Sequence, residues 1–253
     1  MSTPIPFVEL EVAEAAKGLR LVVAGGIPSP WSEAAKAIFR VKDVPHVLVR
    51  LVPGDKAVRK WTRARNVPVA MYDDEPARTG WADILELAER IGPSASLVPE
   101  RPEERVRMFG LAHEVLGEGG LVWSGRILTI HEGLRTEGAR GFPTFVAGYL
   151  GPRYGYSAER VALAKTRVEQ AFSLLRDALG KGPYYFGDRL TALDLYSAAA
   201  MNTFDPFPEE LCPMMPPIRA AFESMKGEIS IPGEILEHRQ RVYEQHMGLP
   251  IAL

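Results

Sequence analysis

Two hydroxyls stand three positions apart in Ser29-Pro30-Trp31-Ser32, where the apolar run Leu19-Arg20-Leu21-Val22-Val23 gives way to a helical pattern. Pro30 suits the first position of a helix, because the N–H it lacks would have no intrahelical partner there. Ser29 then falls at the N-cap, with its hydroxyl beside the positive end of the helix dipole. Hydroxyls at both positions cannot run a dithiol/disulfide cycle, but they can hold a thiolate that another molecule brings. A free thiol titrates near ~8.5, and lowering that by two units takes about 2.7 kcal/mol. A hydrogen bond to a charged group contributes ~1.5–3 kcal/mol and a helix N-terminus ~0.3–1 kcal/mol. One hydroxyl at this position is therefore sufficient. Ser29 is the candidate catalytic group and Ser32, in the first turn, the second candidate. The competing reading makes Ser29 a plain helix cap, worth about 1 kcal/mol.

Other reactive side chains offer less. The five histidines lack metal-ligand spacing, and no glycine-rich phosphate loop is present. His113 recurs on an apolar helical face and reads as an interior histidine, while His131 has no evident partner. Cys212, between Leu211 and Pro213, reads as a buried small apolar residue. Tyr72 is the only tyrosine before Tyr149, so no tyrosine near the first strand competes with Ser29.

The elements that position these groups follow from periodicity. Behind the Ser-Pro turn, Ala34, Ala37, Ile38 and Val41 recur at helical spacing. His46 to Val52 reads as a buried strand, and Lys56 to Arg65 as a short basic segment. Val67-Pro68-Val69-Ala70-Met71-Tyr72 is strand-like despite its proline, which leads us to expect a cis Val67–Pro68 bond. Trp81, Ile84, Leu85, Ala88 and Ile91 give a further helix, ended by Gly92-Pro93. After that point the pattern is helical, with Val106, Phe109, His113 and Leu116 marking one face. Val161 to Leu179 marks a longer helix, capped by Ser157 and stopped by Gly180. Gly138 to Gly155, rich in glycine, proline and aromatics, reads as irregular. The expected organisation is an α/β domain over 1–92, a Pro/Ser linker over 93–100 and an all-helical domain over 101–253.

Composition excludes several classes of function. With 46% hydrophobic and 25% charged residues, the chain has an ordinary globular make-up. Its net charge of -2 gives no long-range pull toward nucleic acid or an anionic membrane. No apolar run reaches the ~18 residues of a membrane span. A single cysteine excludes an internal disulfide framework and fits a reducing compartment, so a cytoplasmic location is expected.

Tyr185-Phe186-Gly187-Asp188-Arg189-Leu190-Thr191-Ala192-Leu193-Asp194 adds a capping box, Thr191 with Asp194, at a helix start. Taken with Ser-Pro-x-Ser and Val67-Pro68-Val69 in the same order, this string resembles the cytosolic glutathione transferase superfamily across most of the chain. The resemblance implies an N-terminal thioredoxin-like domain joined to an all-helical domain. It implies that Ser29, with Trp31 and Ser32 beside it, faces the glutathione sulfur, and that Val67 before a cis Pro68 pairs with the cysteinyl backbone. Where the family carries an acidic residue followed by serine for the γ-glutamyl group, this chain reads Arg78-Thr79-Gly80-Trp81. Helix-start N–H groups at Thr79, Gly80 and Trp81 can receive that carboxylate instead; a plain Thr79 cap with Trp81 in the core is the other reading. Arg63 or Lys60 is the candidate for the glycyl carboxylate, against a merely solvated basic segment.

The implied activity is attack of bound glutathione thiolate on a small apolar electrophile. Glutathione is then a co-substrate, no metal is involved and a homodimer is expected. Isomerisation, dehalogenation or ether cleavage could use the same thiolate. A binding or scaffold protein of this fold that has lost glutathione is the alternative.

Overall fold

The computed structural model describes residues 5–253. A short helix α1 (Leu10–Ala15) leads into strand β1 (Leu19–Ala24), whose Leu19, Leu21, Val22 and Val23 are all buried. Such two-sided burial is what a central strand requires. Helix α2 (Pro30–Val41) follows, then strand β2 (His46–Leu51), helix α3 (Lys56–Thr62), strand β3 (Val69–Tyr72) and helix α4 (Trp81–Ile91). The sheet order is β2-β1-β3, with β1 parallel to β2 and antiparallel to β3.

Alternation along β1 divides the packing. Leu19, Leu21 and Val23 join Ala34, Ala37 and Ile38 of α2 and Ile84, Leu85 and Ala88 of α4. Val22 joins Ala13 of α1, Val58 of α3, Val49 and Val69 on the other face. β3 begins two residues later than the strand-like run suggests, and the Val67–Pro68 bond is cis, as expected. Beyond β3 the chain doubles back only far enough for one bridge, with Ala70 and Arg78 exchanging hydrogen bonds of 2.9 Å. The basic segment after Lys56 is helical because Asp55 caps it, accepting from the Val58 N–H at 3.0 Å.

The rest is helical: α5 (Pro102–Leu116), α6 (Leu121–Arg135), α7 (Thr144–Tyr154), α8 (Ala158–Leu179), α9 (Ala192–Met201), α10 (Pro216–Glu223) and α11 (Gly233–Val242). A π-helical turn, Tyr243–Met247, continues α11. The thioredoxin-like first part and helical second part thus form the α/β plus all-α architecture. All residues of α9 are buried, and this helix packs against α2, α5 and α11. Its start holds the expected capping box. The Asp194 carboxylate accepts from Tyr185 N–H (3.0 Å), Thr191 N–H (2.7 Å) and Thr191 Oγ1 (2.8 Å). His238 of α11 adds Nε2 at 2.9 Å, with both side chains wholly buried.

Three expectations need correction. The stretch Gly138 to Gly155 is not irregular throughout, since α7 occupies Thr144–Tyr154 and ends on Gly155 at φ 64°. Gly148, Gly151 and Pro152 mask that helix in sequence, but packing of Ala147 and Gly151 against its neighbours overrides their low propensity. The buried face of α5 is Met108, Ala112, Val115 and Leu116; Val106 is 73% exposed and His113 is exposed, not interior. The strand ends at Leu51, leaving Val52 in solvent.

Candidate functional site

Strand register brings three separate segments to one end of the sheet. β1 climbs to Ala24 and turns into α2, so Ser29 lies beyond that end. β3 runs the other way, with Val69 opposite Val22, which sets Val67–Pro68 beside the same turn. The Ala70–Arg78 bridge then carries the returning chain upward, so Thr79 and Gly80 reach this end as well.

Ser29 occupies the N-cap of α2 with extended backbone. Its N–H donates to Ile27 O and its carbonyl accepts from Glu33 N, each at 2.8 Å. Its side chain makes no capping bond. Ser29 is buried, 6% exposed; its backbone is committed, while its hydroxyl makes no capping bond at the helix N-terminus. Ser32 differs: its Oγ accepts from the Ala24 N–H at 3.1 Å, and the residue is wholly buried. That bond ties the first turn of α2 to the end of β1 and fixes where Ser29 stands. Next along, buried Glu33 has its carboxyl pushed above the usual range by desolvation, partly offset by Lys36 Nζ at 2.8 Å.

Trp31 turns toward the helices. Its Nε1–H donates to Leu116 O at 2.9 Å, and its ring lies 6.4 Å from that of Tyr154. Val67 is half-buried and Pro68 buried. Arg63 ends α3 in the left-handed region, φ 53°, with its side chain exposed. It lines an open groove of about 810 Å³ shared with Trp61, Asn66, Asp73 and Thr79, which does not include Ser29.

At α4 the N-cap is Gly80, and Thr79 lies outside the helix, exposed. Trp81 packs its indole against Tyr196 (5.6 Å, edge-on) and Phe109 (6.2 Å), and its carbonyl accepts from the Tyr196 hydroxyl. The positive end of α4 already has an acid beside it, because Asp83 Oδ2 lies 2.5 Å from where a Cβ on Gly80 would sit. Cys212 is buried, and burial pushes its thiol up to about 11, so it supplies no nucleophile. Among the described residues no group of His, Cys, Asp and Glu is arranged to hold a metal ion, and no helix is long and apolar enough to cross a membrane.

No family model and no curated protein matches the sequence. Solved structures do. A glutathione S-transferase domain-containing protein of Marinobacter aquaeolei superposes with a TM-score of 0.64 at 18% identity, over 90% of this chain and 98% of that one. A glutathione S-transferase of Methylobacterium radiotolerans, in complex with glutathione sulfonate, gives 0.59 at 19% identity, over 90% and 92%. Omega 3C glutathione transferase of Trametes versicolor gives 0.54 at 14%, over 94% and 95%. The fold is that of the glutathione S-transferases. Within the glutathione S-transferase fold of this chain, the sequence alone pointed neither to Arg153 of α7 nor to the contact of Tyr154 with Trp31, although Tyr154 stood among the tyrosines read as packing or second-pocket residues. Arg153 reaches Asn66 Oδ1 at 3.4 Å, one residue before Val67, and Tyr154 meets Trp31. The signal that hid them was the same glycine-proline richness that concealed α7.

Proposed function

We propose that this chain is a glutathione-dependent transferase in which Ser29 stabilises the glutathione thiolate. The observation that carries the reading is the contrast between two serines: Ser32 has its oxygen engaged by Ala24 N–H, while Ser29 makes no capping bond. Its hydroxyl can donate to sulfur at a helix N-terminus, where dipole and hydrogen bond act together. Val67, next to the cis bond, offers its backbone to the tripeptide, and Arg63 its charge to the glycyl end. Trp31 acts from behind, anchoring α2 on α5, and Trp81 anchors α4. The Methylobacterium structure holds glutathione sulfonate, which supports the same tripeptide here. The proposal extends to a small apolar electrophile as second substrate, and to a homodimer in the cytoplasm, in keeping with the single cysteine.

A second reading has its own support. Asp83 beside Gly80 sets a negative charge where the γ-glutamyl carboxylate would approach α4. This favours a scaffold of the same fold that no longer takes glutathione. Calorimetry with glutathione, titration of the bound thiol by its thiolate absorbance and a conjugation assay separate the two. The transferase reading expects binding with a thiol pKa below the free value of ~8.5. Absence of binding at millimolar glutathione selects the scaffold.

A further inference from the structure

The last turn of α7 touches both segments that frame the thiolate position. Arg153 Nη1 lies 3.4 Å from Asn66 Oδ1, immediately before Val67. Tyr154 sits 6.4 Å from Trp31, two residues after Ser29. Behind Tyr154, Trp123 of α6 donates its indole N–H to the Tyr154 carbonyl at 3.1 Å, with ring centroids 4.6 Å apart. Trp31, Tyr154 and Trp123 thus make a chain of tilted ring contacts, at 44° and 54°, held at one end by the Leu116 carbonyl. Beside the row, the Arg153 guanidinium lies 4.3 Å above the ring of Tyr149, which is 53% exposed. Among the described residues no carboxylate pairs with Arg153, and neither Tyr149 nor Tyr154 has a hydrogen bond to its hydroxyl. Half-buried aromatic rings suit an aromatic partner, and an exposed guanidinium with no carboxylate partner suits a carboxylate.

We propose that the end of α7 forms the electrophile subsite and selects planar aromatic electrophiles bearing a carboxylate, with Arg153 as the specificity-determining residue. This rests on the transferase reading and replaces its apolar electrophile by one that carries a carboxylate on an apolar ring. In the reaction, the thiol proton passes to solvent on ionisation and the thiolate sulfur attacks the ring carbon bearing chlorine. The C–S bond forms, the C–Cl bond breaks and chloride leaves with the bonding pair.

The test compares a neutral chlorodinitrobenzene with a chloronitrobenzoate, in wild type, Arg153→Gln and Arg153→Lys. The readout is the ratio of kcat/KM for the anionic over the neutral substrate. Arg153→Gln lowers that ratio about tenfold, the lower end for a hydrogen bond to a charged group at an exposed site, and Arg153→Lys recovers part of it. Equilibrium dialysis of the chloronitrobenzoate, which needs no turnover, should show the same order of affinities. A ratio and an affinity both unchanged in Arg153→Gln overturn the subsite. Loss of all turnover with glutathione unbound overturns the transferase reading instead, and dialysis then still decides whether Arg153 holds the carboxylate.

Discussion

Replacing each serine of the Ser29-Pro30-Trp31-Ser32 turn by alanine should produce opposite phenotypes. Ser29 makes no side-chain cap bond, so Ser29→Ala removes no hydrogen bond from the folded protein. Its stability should stay within the ~0.5 kcal/mol typical of benign substitutions. What it removes is a donor to the thiolate, worth ~1.5–3 kcal/mol, which corresponds to a bound thiol pKa higher by about one to two units. Conjugation near neutral pH should slow roughly ten- to hundredfold. Ser32→Ala leaves the part-buried Ala24 N–H without its acceptor and opens a void where the wholly buried Ser32 hydroxyl stood. An unsatisfied buried donor costs ~1–3 kcal/mol. For a chain of this size that lowers Tm by roughly 2–12 °C. Thermal melts, thiolate titration and conjugation rates on the same preparations check both limbs. Full activity in a folded Ser29→Ala, or a larger loss of thiolate chemistry in Ser32→Ala than in Ser29→Ala, would refute the assignment.

Asp83→Ala should tighten glutathione binding about fivefold, ~1 kcal/mol, by removing an exposed like charge from the start of α4; calorimetry reads it directly. Asp194→Ala strips four donors of a common buried acceptor and should cost ~3–5 kcal/mol in urea unfolding. Glu33 provides a pH dependence. Its carboxyl titrates above the usual range when folded, so the folded state holds more protons than the unfolded one, and stability falls as pH rises from about 4.3 through the raised value. Glu33→Gln should flatten that decline and leave stability below pH ~4 little changed; identical stability-versus-pH curves would contradict the assignment.

Much of the frame was legible in the residues. The central strand announces itself by four buried apolar side chains in Leu19–Ala24, and α2 by its Ser-Pro start. The Thr191–Asp194 box marks α9 without ambiguity, because the side chains that cap a helix sit at fixed offsets. What escaped was decided by contacts distant in sequence. α7 carries glycines and a proline that local propensity counts against it, yet packing holds it helical. Helical spacing gave α5 a face through Val106 and His113, whereas its neighbours select the stripe through Met108 and Ala112. For the site, chemistry type and position along the chain pointed to Ser29. The division of labour between Ser29 and Ser32, the acid beside Gly80 and the reach of Arg153 to Asn66 all depend on register and could not be read from spacing.

The wholly buried α9 has a consequence for how such a chain can diversify. Its apolar surface meets α2, the helix that carries Ser29, as well as α5 and α11 of the helical half. Recombination that joined this first part to a foreign helical half at the Pro/Ser stretch would bring the wrong surface against the face of α2 that meets α9. New specificities are therefore easier to acquire by changing α7, which exposes Phe145 and Tyr149, than by shuffling whole halves. Variation between related chains should concentrate there, while the residues where α2 meets α9 change together or not at all.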